Sequence, residues 1–99
     1  MCGGDPFYSA KEVMEFVNIL KQEIPYINMW SYTGFTYEEI LNGKDLSMIS
    51  LLKECDVIID GMFVESKKDL TLPFRGSANQ RIIDVKKSLR QGTIVKLME

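Results

Sequence analysis

The side chains able to do chemistry in this sequence gather at its turns. Cys2-Gly3-Gly4-Asp5-Pro6-Phe7 stands at the start of the chain. Two glycines bring bare backbone close to whatever lies beside them, and a carboxylate follows at once, fixed by proline. Such a turn offers N–H and C=O groups to a ligand, and Asp5 can accept charge-assisted hydrogen bonds from an ammonium group. Read alone, the same residues also make a plain turn ahead of a helix. Two further turns, Tyr32-Thr33-Gly34 and Asp60-Gly61, place Thr33 and Asp60 at strand ends, as ligand contacts or as simple caps. Arg75 and Arg81 bracket Gly76-Ser77-Ala78-Asn79-Gln80. Paired guanidiniums there can clamp a carboxylate; the alternative is a solvated Arg75 at a turn and an Arg81 that opens a strand.

Other chemistries are excluded by residue type. The sequence has no histidine and two cysteines far apart, Cys2 and Cys55. Histidine acid–base work, nucleophile–histidine pairs and the common zinc sites are therefore absent from these residues, as is a disulfide framework. Net charge is -2 over 99 residues, with twelve basic residues scattered among fourteen acidic ones. That leaves neither a nucleic-acid footprint nor a polybasic membrane patch. No apolar run approaches the roughly 20 residues needed to cross a bilayer, and no signal peptide opens the chain. A cytoplasmic protein with one domain over residues 1–99 is expected, without nucleic acid or membrane as partner.

The elements that position those turns follow from periodicity. Ser9 and Glu12 have capping-box spacing, and Val13, Phe16, Val17, Leu20 and Ile24 recur at helical intervals, predicting a helix over Ala10 to Glu23 that Pro25 stops. Tyr26 to Tyr32 suits a short aromatic strand. Thr36 and Glu39 form a second capping box for a helix through Leu41, and Asp45 caps a third helix with Leu46, Ile49, Leu51 and Leu52 on its apolar face. Asp56 to Asp60 reads as a strand covered on both faces, the pattern of a parallel sheet. A long connection from Gly61 to Gln80 precedes a strand from Arg81, a short helix, and a last strand around Thr93 to Leu97. Trp30, Phe35, Phe63 and Phe74 are expected to fill the core, with Met29, Met48 and Met62 as adaptable packing. The expected fold class is α/β: an open, mostly parallel sheet with flanking helices.

The combination of "GGDPF" before a helix, "WSYTGFTYEEIL", and "LLKECDVIIDGMFVESKKDLTLPFRGSANQRIIDV" resembles the activating protein of anaerobic ribonucleotide reductase, within the radical S-adenosylmethionine (SAM) superfamily. The resemblance runs from Gly3 to about Val85. It implies a fragment of a partial (β/α) barrel. It also implies SAM and a 4Fe–4S cluster as cofactors, and the glycyl-radical subunit of the anaerobic reductase as partner. The family's reaction is one-electron cleavage of SAM to methionine and a 5′-deoxyadenosyl radical, which takes hydrogen from a glycine of the reductase. Gly3, Gly4, Asp5 and Pro6 match the glycine-rich motif that engages the amino group of SAM, with aspartate where many relatives have glutamate. Thr33 and Asp60 would reach the SAM ribose or carboxylate, and Arg75 and Arg81 a carboxylate of SAM or of the partner.

The C-x3-C-x2-C segment that holds the cluster in that family has no counterpart here, and two distant cysteines cannot replace it. The chain is accordingly expected to be the C-terminal part of an activase, to bind no cluster and to be inactive alone. A sheet edge left open by such a cut would favour self-association. Two other readings stand beside this one: a small nucleotide-binding regulatory domain using the Gly3-Gly4 turn for phosphate, although no phosphate-loop pattern is present, and an interaction module without turnover.

Overall fold

The computed structural model describes residues 5–69, 71 and 75–98. A 3-10 turn, Pro6–Ser9, leads directly into helix α1, Ala10–Glu23. Strand β1 (Trp30–Tyr32), helices α2 (Tyr37–Leu41) and α3 (Leu46–Glu54), and strand β2 (Val57–Asp60) follow. A connection containing a 3-10 turn, Glu65–Lys67, then leads to strand β3 (Arg81–Asp84), helix α4 (Val85–Gln91) and strand β4 (Lys96–Met98).

Helix α1 occupies the span its sequence predicts, and Pro25 lies just beyond its end. Its buried stripe is Ala10, Val13, Met14 and Val17, at intervals of three and four, whereas Phe16 is 63% exposed on the opposite side. The expected Ser9–Glu12 capping box is not made, because Ser9 gives no side-chain cap bond. The helical path starts earlier, at Asp5, whose carboxylate accepts the Phe7 N–H and whose carbonyl accepts the Tyr8 N–H. The second capping box is complete: Thr36 and Glu39 exchange side-chain bonds with each other's backbone N–H. Asp45 caps α3 through the N–H groups of Ser47 and Met48, although Leu46 points outward at 76% exposure.

The four strands lie in the order β1-β2-β3-β4. Only β1 and β2 are parallel, joined by the α2–α3 crossover; β2–β3 and β3–β4 are antiparallel. The sheet is therefore mixed, which corrects the mostly parallel expectation. Parallel neighbours need a crossover of about a dozen residues or more, and residues 85–95, which carry α4, are at the lower limit of that and return β4 antiparallel to β3. The Gly61–Gln80 connection is long enough but doubles back on itself through a bridge between Lys68 and Ser77, so β3 returns beside β2 in the opposite sense.

Helices cover one face of the sheet. Val17, Leu51, Leu52, Ile58, Ile83 and Val85 form the main core there, joined by Phe7 and Tyr37. Val57, Ile59 and Ile82 make a smaller cluster through the opposite face, as strand alternation requires. Trp30, at 40% exposed, and Phe63, at 45%, are not core residues as expected, and Phe74 lies outside the described residues. Among the described residues, the aromatic residues buried in the core are Phe7 and Tyr37.

Candidate functional site

A cleft of about 630 Å³ opens where β1 and β2 end and the Gly61–Gln80 connection begins. It is lined by Asp5, Tyr8, Tyr32 to Phe35 and Glu39, and by Gly61, Met62, Phe63 and Gln80 from the two ends of that connection. The Tyr8 and Phe35 rings meet at a tilt of 53° with centroids 5.1 Å apart. The cleft lies within the range of roughly 300–1,000 Å³ usual for small-molecule sites.

Asp5 organises this corner. It is buried, and Oδ1 accepts the Phe7 N–H at 3.0 Å. Oδ2 accepts the Thr33 hydroxyl at 3.0 Å and the Gly34 N–H at 2.7 Å. Thr33 Oγ1 in turn accepts the Phe35 N–H at 3.2 Å. One carboxylate thus ties the start of the chain to the turn after β1, and all its partners are neutral. Among the described residues Asp5 takes part in no ion pair. Among the described residues, the cleft lining holds two carboxylates, Asp5 and Glu39, and no lysine or arginine.

Asp60, at the end of β2, is held differently. Oδ2 accepts the Tyr37 N–H at 2.7 Å, and the Arg81 guanidinium binds both Asp60 oxygens, at 3.0 and 2.6 Å. Arg81 continues to Glu38 at 2.6 and 3.3 Å. These bonds raise the pKa of Arg81 and hold the Glu38 carboxyl below the usual carboxylate range, with the Arg81 hydrogen bond as the largest cause. Burial raises the Tyr37 phenol, and the Glu38 charge adds to it.

Of the residues singled out from the sequence, Asp5 and Thr33 are brought together at the cleft. Asp60 and Arg81 pair with each other outside its lining. Arg75 donates to the Gln80 carbonyl at 3.1 Å. Pro6 opens the 3-10 turn, and Gly3 and Gly4 lie outside the described residues. Sequence reasoning missed Tyr8, Glu39, Phe63 and Gln80 as cleft residues. The available signal was the run Gly76 to Gln80, where small and amide residues cluster after a long connection.

A three-thiolate site is not found here. Cys55 is fully buried in the core and burial pushes its thiol up to about 11, which disfavours the thiolate a metal needs. Cys2 lies outside the described residues, and among those described no group of three metal-ligating side chains converges. No helix among them is long and apolar enough to cross a membrane.

A mixed α/β sheet with a ligand-sized cleft at its strand ends defines the general class. The chain belongs to the 4Fe-4S single cluster domain family, which it matches over residues 1–83. It is 39% identical over 84 residues to the anaerobic ribonucleoside-triphosphate reductase-activating protein of Vibrio cholerae, covering 83% of this chain and 52% of that protein. The proteins of the same name from Haemophilus influenzae and Escherichia coli are 36% and 33% identical, with 83% and 81% of this chain and 52% and 51% of theirs covered. The chain spans about half the length of the curated relatives it matches. No solved structure matches it.

Proposed function

We propose that these residues form part of the SAM-binding cradle of a radical SAM activase that acts on anaerobic ribonucleotide reductase. The observation that carries the reading is the charge of the cleft: among the described residues Asp5 and Glu39 line it, and no basic side chain does. Such a site suits an organic cation, and the Tyr8, Tyr32, Phe35 and Phe63 rings suit a sulfonium or ammonium group that needs polarizable, partly dry surroundings. A phosphate-bearing nucleotide would meet two carboxylates and no counter-charge, which disfavours the nucleotide-binding alternative. The names of the relatives support the choice of partner.

Asp5 acts by fixing the Thr33–Gly34 turn and by placing negative charge beneath it, and the Gly3-Gly4-Asp5-Pro6 motif is the segment that engages the amino group of SAM. Arg81 and Asp60 hold the neighbouring strand ends in register. When bound, SAM beside a reduced 4Fe–4S cluster supplies one-electron hydrogen-abstraction chemistry, and the cluster's ligands come from outside these 99 residues.

Equilibrium dialysis of the full-length protein against SAM and against ATP separates the readings. SAM retained in preference to ATP supports the proposal, and ATP retained in preference to SAM sinks it. Incubation with the anaerobic reductase under reducing conditions should then give a glycyl-radical signal. SAM binding with no radical would leave a binding module rather than an activase.

A further inference from the structure

We propose that Gln80 is a positioning residue: its side-chain amide closes the two ends of the Gly61–Gln80 connection on each other and seats the Phe63 ring in the wall of the cleft. The inference rests on the reading of that cleft as a ligand site.

Residues Gly61 to Val64 belong to no helix or strand, so their backbone groups need other partners. They find them in three side chains near the far end of the connection. The Gln80 side chain donates from Nε2 to the Gly61 carbonyl at 2.9 Å, and its Oε1 accepts the N–H groups of Gly76 at 2.9 Å and Ser77 at 3.2 Å. Asn79 Nδ2 donates to the Met62 carbonyl at 2.8 Å. Ser77 Oγ accepts the Val64 N–H at 3.2 Å and donates to Asn79 Oδ1 at 2.7 Å. Backbone on both sides of Phe63 is therefore held by the Gly76–Gln80 run.

The ring itself rests on Gly76. A Cβ at that position would stand 3.0 Å from Phe63 Cδ1, tighter than nine in ten such contacts, so any side chain there would push the ring by a few tenths of an ångström. Gln80 fixes the Gly76 N–H and the Ser77 N–H with one oxygen, and thereby fixes the surface on which Phe63 sits. The chemistry requires an amide. A carboxylate keeps the acceptor but cannot donate to the Gly61 carbonyl, and a thioether of similar length does neither. Gln80 is almost fully buried, so water does not substitute freely for a lost partner.

Amide hydrogen exchange and SAM affinity, measured on the full-length protein, test this. Gln80→Met should strip exchange protection from the Gly76 and Ser77 amides, while Gln80→Glu retains it. Unchanged protection in Gln80→Met overturns the clasp. If Gln80→Met does not fold, Gln80→Glu carries the test by weakening protection around Gly61 to Val64 alone, and uniform loss or no loss overturns the proposal. SAM affinity should fall roughly three- to ten-fold in Gln80→Met, and the same substitution should have no further effect once Phe63→Ala is present. Additive losses would show that Gln80 does not act through Phe63. Failure of the unsubstituted protein to bind SAM, with the protection pattern as described, would count against the SAM reading and leave the clasp standing.

Discussion

Asp5 and Asp60 are both buried carboxylates near the ends of adjacent parallel strands, but their surroundings differ in kind. Asp60 is neutralised by the Arg81 guanidinium, which Glu38 shares. Asp5 is held by two backbone N–H groups and a hydroxyl. Neutral donors satisfy a carboxylate's hydrogen bonds but bring no opposite charge to it. The Asp60 carboxylate thus faces a cation directly, whereas the Asp5 carboxylate meets no cation among the described residues and lines a cleft. Under the proposed function, the difference separates a carboxylate that pairs within the fold from one that also faces the ligand.

Breaking the Asp60 corner should have the largest effect on stability. Arg81→Met leaves Asp60 buried without a cation and should cost about 3 kcal/mol, read as a fall in the urea midpoint. An unchanged midpoint would mean that the pair contributes nothing net. The same variant should alter the acid limb. Glu38 has its folded pKa lowered by Arg81, so its contribution is present above the ordinary value of 4.5 and is lost as pH falls through the lowered one. That acid-side dependence should shrink in Arg81→Met.

Cys55 extends the comparison to a buried group that stays neutral. Its folded pKa is raised to about 11 from 9.0, so its protonated form stabilises the fold below pH 9, and that contribution is lost as pH rises towards 11. The expected loss is about 2 kcal/mol across that window. Cys55→Ala should remove this part of the alkaline decline, leaving what the Tyr37 phenol adds. An identical decline in the variant would mean that other groups carry it.

A smaller effect is expected at the Asp5 corner. Thr33→Val keeps the shape and the Asp5 charge but removes one donor to Asp5 and the acceptor for the Phe35 N–H. The cost should be about 1 kcal/mol in stability. A loss as large as that of Arg81→Met would erase the distinction between the two corners.

Local signals were legible in the sequence, and pairings between distant residues were not. Helix α1 was marked by its period and by Pro25, and the Thr36–Glu39 box by its own spacing, because both are decided within a few residues. Ser9 and Glu12 show the limit: the same spacing made no box, since Asp5 started the helical path earlier. Strand direction was misread because apolar runs such as Val57–Asp60 carry burial and not orientation. Orientation depended on whether the next connection crossed the sheet or folded back, which in Gly61–Gln80 is decided by side-chain bonds across its span. Asp5 and Thr33 were each visible as polar turn residues, but their meeting across 28 positions follows only from the fold. Arg81 was visible as half of a possible clamp, and its actual partners, Asp60 and Glu38, belong to other elements.

The most direct test is the SAM affinity of the full-length protein with Asp5→Asn, set beside Thr33→Val. Both substitutions disturb the same hydrogen-bonded turn, but only Asp5→Asn deletes the charge. The account predicts that Asp5→Asn weakens SAM binding roughly ten-fold to more than a hundred-fold, as removal of a charged partner does, while Thr33→Val weakens it far less. Equal effects of the two substitutions, or an unchanged affinity in Asp5→Asn, would contradict it and leave Asp5 as a turn-holding residue alone.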